Sequence, residues 1–173
     1  LKDRTLVIIT ADHGESLGEN LNPKGYADWG HGHDLSPELV QVPLIVAGPG
    51  IPAGRVNDRL AELVDLGPSI LQHVGVAEDP AWGWDGDPLW GPGAVVGTTA
   101  ISDRGNKGAS TTLVRDRNLG VEWNEKAQRA GYLSYPGGLR STRLGAAQPA
   151  HSGLKATLDA YLQAKGPAGA ATP

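Results

Sequence analysis

An unbroken apolar run near the start of the chain, at residues 6–9, limits the folds available to this sequence. β-Branched residues dominate the run, and no polar residue alternates with them. Such a run is typical of a strand covered on both faces, as in the parallel sheet of an α/β protein. We therefore predict an α/β fold with a mainly parallel sheet and flanking helices.

Two possible metal ligands, Asp12 and His13, follow that run almost at once. In open α/β sheets, ligands gather beyond the carboxyl ends of the strands, where we expect these two side chains to lie. Gly14 gives the chain freedom to leave the strand, and a short helix is expected over residues 16–19. A carboxylate beside an imidazole indicates half of a cation site. The alternative is that Asp12 only caps the following turn.

A second candidate segment, residues 29–34, carries His31 between two glycines and His33 directly after the second of them. Glycines let the backbone approach closely whatever the imidazoles hold, and residues at i and i+2 can share one face of an extended segment. The alternative is a flexible polar loop without a function, although the tryptophan before the histidines favours an ordered one. We expect His31 to point toward Asp12 and His13.

Further elements are expected along the rest of the chain. They are a helical turn at 36–40, a second buried strand over 42–47, a helix over 65–75, a loop pinned by tryptophans over 81–93, and strands over 94–99, 111–114 and 120–123. Residues 103–110 are expected to be a loop. Apolar residues at helical spacing predict a closing helix over 154–164, and the Ala/Gly/Pro-rich tail 166–173 is expected to be disordered.

Composition narrows the possible partners. A net charge of −4 without a basic cluster gives no reason to expect a nucleic-acid ligand. No apolar run approaches the roughly 18 residues of a membrane helix, so no membrane segment is expected in this piece. Without cysteine there are no disulfides and no thiolate ligands. The chain has no methionine and enters a strand after a few residues, so we expect a piece of a longer protein, whose localisation stays open.

Four motifs in order carry a resemblance to a known family. They are residues 10–19 (TADHGESLGE), 29–33 (WGHGH), 42–50 (VPLIVAGPG) and 64–71 (VDLGPSIL). Together they resemble the C-terminal part of the sulfatase catalytic domain, in the alkaline phosphatase superfamily. The resemblance covers about residues 5–76 and is weak beyond residue 95.

The resemblance implies part of an alkaline-phosphatase-like sandwich. Residues 1–100 would be the C-terminal part of the catalytic domain, 101–165 a small loop-rich α+β extension, and 166–173 the tail. It also implies that Asp12 and His13 are ligands of a divalent cation. The family favours calcium, with zinc, magnesium or manganese as alternatives.

His31 falls where members of that family carry a Lys or His that touches the sulfate or phosphate or binds a second metal. His33 has no firm counterpart there and is the weaker of the two catalytic candidates. The chemistry is coherent, because a cation polarises the ester oxygens while a nearby cationic group stabilises charge on the transferred oxygens.

The resemblance implies an enzyme that cleaves sulfuric or phosphoric esters of small molecules or glycans. The family's nucleophile motif, Cys/Ser-x-Pro-x-Arg, and its first pair of metal-binding aspartates are absent here. We therefore expect half an active site, which alone binds a cation weakly and hydrolyses no ester at a useful rate. Alternatives are a phosphoethanolamine or other phosphoryl transferase, a phosphonate monoester hydrolase, and a non-catalytic remnant or binding module. The family slightly favours a periplasmic, extracellular or membrane-anchored parent protein.

Overall fold

The computed structural model describes residues 2–21, 24–77, 79–92, 94–95, 97–106, 109–136 and 141–165. The chain divides into two compact units, which we call unit 1 (residues 1–31 and 38–100) and unit 2 (residues 32–37 and 101–173). The tail predicted to be disordered, 166–173, lies outside the described residues. No described helix is both long and apolar enough to cross a membrane.

Unit 1 is built from short elements. In chain order they are β1 (Val7–Ile9), β2 (Ser16–Leu21), β3 (Ala27–Gly30), α1 (Pro37–Val40, which begins at the unit boundary), β4 (Ile45–Ala47) and α2 (Leu66–His73), with 3₁₀ turns at Lys2–Arg4, Leu63–Asp65 and Pro80–Trp82. β1 pairs with β4, and β2 pairs with β3. The α/β class predicted from the sequence is confirmed.

The direction of the β1–β4 pair differs from the parallel arrangement expected. Val7 lies opposite Ala47 and Ile9 opposite Ile45, in antiparallel register. An apolar run indicates how far a strand is buried. It does not determine whether the neighbouring strand is parallel or antiparallel. Within this chain β1 is also only partly buried, since Val7 and Ile9 are 48% and 54% exposed.

The helix predicted over residues 16–19 is wrong, because these residues belong to β2. Gly18 has a φ of +91°, which the right-handed helix excludes, and a Cβ there would meet the ring of Trp29. The Ser16 hydroxyl donates a hydrogen bond to Asp28 O across the β2–β3 pair (2.9 Å). The segment is therefore a hairpin rather than a strand-to-helix turn.

The helix predicted over residues 65–75 is confirmed as α2, with Gly75 in a left-handed conformation just after it (φ +77°). Ser69 joins α2 to the tryptophan-rich loop, since its hydroxyl donates to Asp65 O (2.6 Å) and accepts from the Leu89 N–H (2.8 Å). The ring of Trp84 lies so close over Gly67 that a side chain at 67 would collide with it. These contacts hold the loop against the helix.

Unit 2 is a five-stranded sheet with one covering helix. Its strands are β5 (Ala100–Asn106), β6 (Ala109–Arg115), β7 (Leu119–Asn124), β8 (Arg129–Ser134) and β9 (Thr142–Leu144), neighbours in chain order, and the helix is α3 (Ser152–Lys165), preceded by a 3₁₀ turn at Pro149–His151. The strands predicted at 111–114 and 120–123 and the closing helix are confirmed.

Two predictions for this part of the chain are wrong. Residues 103–106 lie in β5 rather than in a loop. The described residues of 94–99 form no strand, since β5 begins at Ala100 and Gly97 makes only an isolated bridge to Leu60. Polar residues at strand positions obscured β5. The Asp103 carboxylate accepts from the Thr112 hydroxyl (3.2 Å) and Arg104 donates to Thr111, so cross-strand polar pairs stabilise this edge.

The core of unit 2 lies between α3 and one face of the sheet. Val114, Val121, Leu154 and Leu158 are its buried residues, and Trp123 packs against them. Elsewhere in the unit, the buried His151 connects the start of α3 to β8. Its Nδ1 accepts from the Gln148 N–H (3.1 Å), so Nε2 carries the proton that it donates to Leu133 O (3.1 Å).

The opposite side of the sheet carries Tyr135, whose ring lies 3.8 Å from the guanidinium carbon of Arg115. Burial lowers the pKa of Arg115 and raises the pKa of Tyr135 to about 12. Among the described residues, the buried Tyr135 hydroxyl has no hydrogen-bond partner. Such a group opposes folding unless it finds a donor or acceptor.

Replacing Leu158 by Ala is expected to lower the free energy of unfolding by about 2–5 kcal/mol, because it leaves a cavity in the core of unit 2. Urea denaturation followed by circular dichroism measures this. Gln163→Ala, on an exposed position of the same helix, is the control and is expected to change stability by less than about 0.5 kcal/mol. Equal effects of the two variants would contradict the assigned core.

Tyr135→Phe is expected to leave stability at pH 7 unchanged or raise it by up to about 1 kcal/mol, because it removes an unpaired buried hydroxyl. The pKa of this tyrosine is about 10 in the unfolded chain, whereas burial in the folded chain raises its pKa to about 12. The parent chain therefore loses stability between those pH values, and the variant lacks this contribution. Denaturation at pH 7 and pH 11, with the exposed Tyr26→Phe as control, tests both points. A destabilised variant at pH 7 would show that the hydroxyl is satisfied.

Candidate metal centre

Asp12 and His13 follow β1 and lie at the surface. The Asp12 side chain is 89% exposed and that of His13 is 44% exposed. The His13 N–H donates to Asp12 Oδ1 (3.0 Å), and Asp12 Oδ2 lies 3.7 Å from His13 Nε2. The carboxylate oxygen and the imidazole nitrogen are therefore about as far apart as two ligand atoms bound to one metal ion.

Gly14 holds this pair in place. Its N–H donates to Leu39 O (2.8 Å), and a Cβ at this position would collide with the carbonyl of Glu38. The chain can therefore approach α1 only without a side chain at residue 14. The Gly14 carbonyl lies 2.7 Å from His13 Nδ1 and can only accept, so Nδ1 carries the proton. The lone pair of Nε2 is left for a ligand, as in metal-binding histidines whose other nitrogen is hydrogen-bonded.

His31 lies just after β3 and next to His13. The two ring centroids are 4.1 Å apart, with an angle of 33° between the ring planes. His31 Nδ1 donates to Glu15 Oε2 at 2.9 Å, so its Nε2 is also left for another partner. The structure thus brings two of the predicted site residues together and adds Glu15 to them.

Sequence reasoning missed Glu15 as a member of this cluster. Ser16 pairs with Gly30 in the β2–β3 register, which places Glu15 opposite His31 one step further along. A hairpin predicted over these residues would have paired Glu15 with His31, but a helix was predicted after Gly14 instead. The spacing of His13 and Glu15, two residues apart, was the other usable clue.

His33 is not part of the cluster that the described residues form around His13. It belongs to unit 2, is partly buried and has interactions of its own. Of the two histidines predicted as catalytic, His31 is therefore the one that lies next to His13. The catalytic role of either residue stays a prediction.

The donor set fits a divalent cation. His13, Glu15 and His31 each offer one ligand atom, and these atoms lie within 4.8 Å of one another. Two donors bound to one tetrahedral zinc ion, each about 2.1 Å from it, lie about 3.4 Å apart, so small rotamer changes would close the site. Two imidazoles and a carboxylate are ligands typical of zinc, iron or manganese, whereas calcium prefers oxygen.

The family comparison agrees with the ordered motifs. The model of the family described as Sulfatase matches residues 1–76. This segment belongs to the sulfatase family. Residues 12–15 of the candidate metal centre, and His31, all fall within the sulfatase segment.

Two curated relatives align with the sulfatase segment. The low-salt glycan biosynthesis sulfotransferase Agl7 of Haloferax volcanii is 45% identical over 75 residues, which is 43% of this chain and 18% of that protein. Arylsulfatase K of Mus musculus is 34% identical over 80 residues, covering 46% of this chain and 13% of the relative. The chain thus spans less than a fifth of either relative.

A solved structure, that of a 2-O GAG sulfatase, resembles the fold of almost the whole chain. The TM-score is 0.68 at 20% identity, over 92% of this chain and 35% of that one. A likeness at this identity shows the fold and no more. The predicted alkaline-phosphatase-like fold class is thereby confirmed.

Replacing His31 by Ala is expected to weaken the binding of Zn²⁺ or Co²⁺ by about tenfold or more, because it removes one of three converging donors. Isothermal titration calorimetry measures the affinity, and the visible absorption of bound Co²⁺ reports the ligand geometry. The matched control is His73→Gln, which removes an imidazole of α2 that packs near Trp90. It is expected to leave both readouts unchanged. An equal loss in both variants would indicate nonspecific binding by histidines.

Proposed function

We propose that this chain forms the C-terminal part of the catalytic domain of a metal-dependent sulfatase-like enzyme that hydrolyses sulfuric esters. The observation that carries the proposal is that His31, held by Glu15, lies next to His13 beside Asp12. Membership of residues 1–76 in the sulfatase family supports the same chemistry. The substrate would be a sulfate ester of a small molecule or a glycan.

In this proposal Asp12 Oδ2 and His13 Nε2 would hold the cation. Both atoms are acceptors and lie 3.7 Å apart, so a bound cation would offset their mutual repulsion. When bound, the cation supplies Lewis-acid polarisation of the ester oxygens. Gly14 keeps the two donors at a fixed place relative to α1.

His31 would contact the transferred group. Its Nδ1–H is held by Glu15 Oε2, which fixes the orientation of the ring. Its Nε2 then either donates a proton to an ester oxygen or binds a cation as a further ligand. Glu15 acts through His31 in both cases, as a positioning residue.

A second function is favoured by one relative. Agl7, whose name describes a sulfotransferase, is 45% identical to the sulfatase segment. The two reactions differ in the acceptor of the sulfuryl group, which is water in hydrolysis and a hydroxyl group in transfer. Residues that hold the cation and the transferred group would serve both. Analysis of the sulfated product in the presence of an acceptor sugar distinguishes the two functions.

The experiment uses the protein translated from the complete reading frame that contains these residues. A sulfate ester, a phosphate monoester and a phosphate diester are compared with Ca²⁺, Mg²⁺, Mn²⁺ or Zn²⁺ supplied. Asp12→Ala is expected to lower the metal-dependent rate by about 100-fold or more, while Asp159→Asn, in an exposed helical ion pair, leaves it unchanged. A sulfate ester should be the preferred substrate.

The isolated 173-residue chain is expected to hydrolyse none of the three esters at a useful rate. Thr10 and Ser16 flank the centre, but neither is an activated nucleophile: the Ser16 hydroxyl donates to a backbone carbonyl rather than to a base. Turnover by this chain that disappears in Asp12→Ala would place the nucleophile within these residues. It would contradict the expectation of half an active site.

A further inference from the structure

The sheet of unit 2 has a second face, which α3 does not cover. Trp123 packs with the core under α3, so its neighbours Glu122 and Asn124 point to the opposite side. The β7–β8 register sets Gly131 opposite Glu122 and Arg129 opposite Asn124. Residues directly opposite in a pair share one face, so all four lie together on this second face.

Arg143 of β9 reaches the same place. It lies opposite Leu133, which is two residues beyond Gly131 and therefore on the same face of β8. Its Nη2 donates to Glu122 Oε1 at 3.0 Å. A Cβ at residue 131 would overlap Arg143 Nη1, so the guanidinium lies across bare backbone that only glycine provides.

These residues enclose a cavity of about 140 Å³, lined by Glu122, Asn124, Arg129, Gly131 and Arg143, which we call the arginine pocket. Two guanidinium groups face one carboxylate there, so the lining is positively charged. Within the described part of the chain, Arg129 has neither a hydrogen bond nor an ion pair through its side chain. Arg129 is exposed, so water can solvate its guanidinium, and an anion in the cavity would replace that water.

We propose that the arginine pocket binds one oxyanion group, a sulfate or a carboxylate, through Arg129 and Arg143. Guanidinium groups match such oxygens with paired N–H donors, and Asn124 supplies an amide donor beside them. Glu122 orients Arg143 and leaves the lining with a single excess positive charge. The preferred ligand is therefore one anionic group rather than a polyanion.

The oxyanion has two possible sources, a free anion from solution and a sulfate group carried by a saccharide. The choice of sulfate as the probe rests on the proposed function, whereas the two arginines indicate an oxyanion without it. The site is separate in sequence from the candidate metal centre, so its binding can be measured without turnover.

The experiment titrates the folded chain with sodium sulfate, glucose 6-sulfate and glucose by calorimetry at constant ionic strength. Arg129→Gln and Arg143→Gln are expected to weaken sulfate binding by about fivefold or more. Gly131→Ala removes no charge and should weaken binding as well, because its Cβ displaces Arg143. Arg59→Gln, on a residue of unit 1, carries the same charge change and should alter the affinity by less than about twofold.

Binding that depends on both arginines supports the pocket, and the sugar then identifies the source. Tighter binding of glucose 6-sulfate than of sulfate assigns the pocket to substrate, and equal affinity assigns it to a free anion. No saturable sulfate binding, or an equal loss in Arg59→Gln, overturns the proposal. Circular dichroism confirms that each variant is folded.

Two further measurements separate this proposal from the proposed function. Sulfate binding at the arginine pocket should persist in the presence of a metal chelator and in Asp12→Ala. Binding that disappears in Asp12→Ala but survives in Arg129→Gln would place the anion at the metal centre and refute the pocket. Full catalytic activity in Asp12→Ala would refute the proposed function and leave the pocket standing.

Discussion

The antiparallel pairing of β2 with β3 is the constraint on which the candidate metal centre depends. Its register sets Ser16 opposite Gly30, and the next residues outward, Glu15 and His31, meet at 2.9 Å. The Gly14 N–H, bonded to Leu39 O, then fixes His13 beside them. A slip of one residue in this hairpin would turn Glu15 and His31 to opposite faces, so backbone pairing determines the cluster.

The sequence was informative where one residue type carries a local requirement. Asp12 and His13 after an apolar run, Gly75 after α2 and the apolar spacing of α3 all rest on such requirements. It was uninformative where long-range pairing decides. A polar segment beginning with Glu15 and Ser16 suits a helix start or a hairpin equally, and only its partner strand, β3, settles the choice.

The two units differ in how far they bury their own apolar surface. In unit 1, Val7, Ile9 and Ile45 of the two-stranded β1–β4 sheet are about half exposed, and a sheet of that size is marginal in water. In unit 2, α3 covers a five-stranded sheet and buries Leu158 completely. Among the described residues, the larger apolar core is therefore that of unit 2, whereas the candidate metal centre belongs to unit 1.

The pair formed by Glu15 and His31 also bears on which cation the candidate metal centre would prefer. Glu15 accepts a hydrogen bond from His31 Nδ1, which orients the imidazole and leaves Nε2 pointing outward. Carboxylates orient metal-binding histidines in the same way. His13 receives the same support from the Gly14 carbonyl. A cation bound by two imidazole nitrogens oriented in this way, with the Asp12 carboxylate beside them, would more readily be zinc than calcium. Calcium becomes the better match only if oxygen donors from outside these residues complete the site.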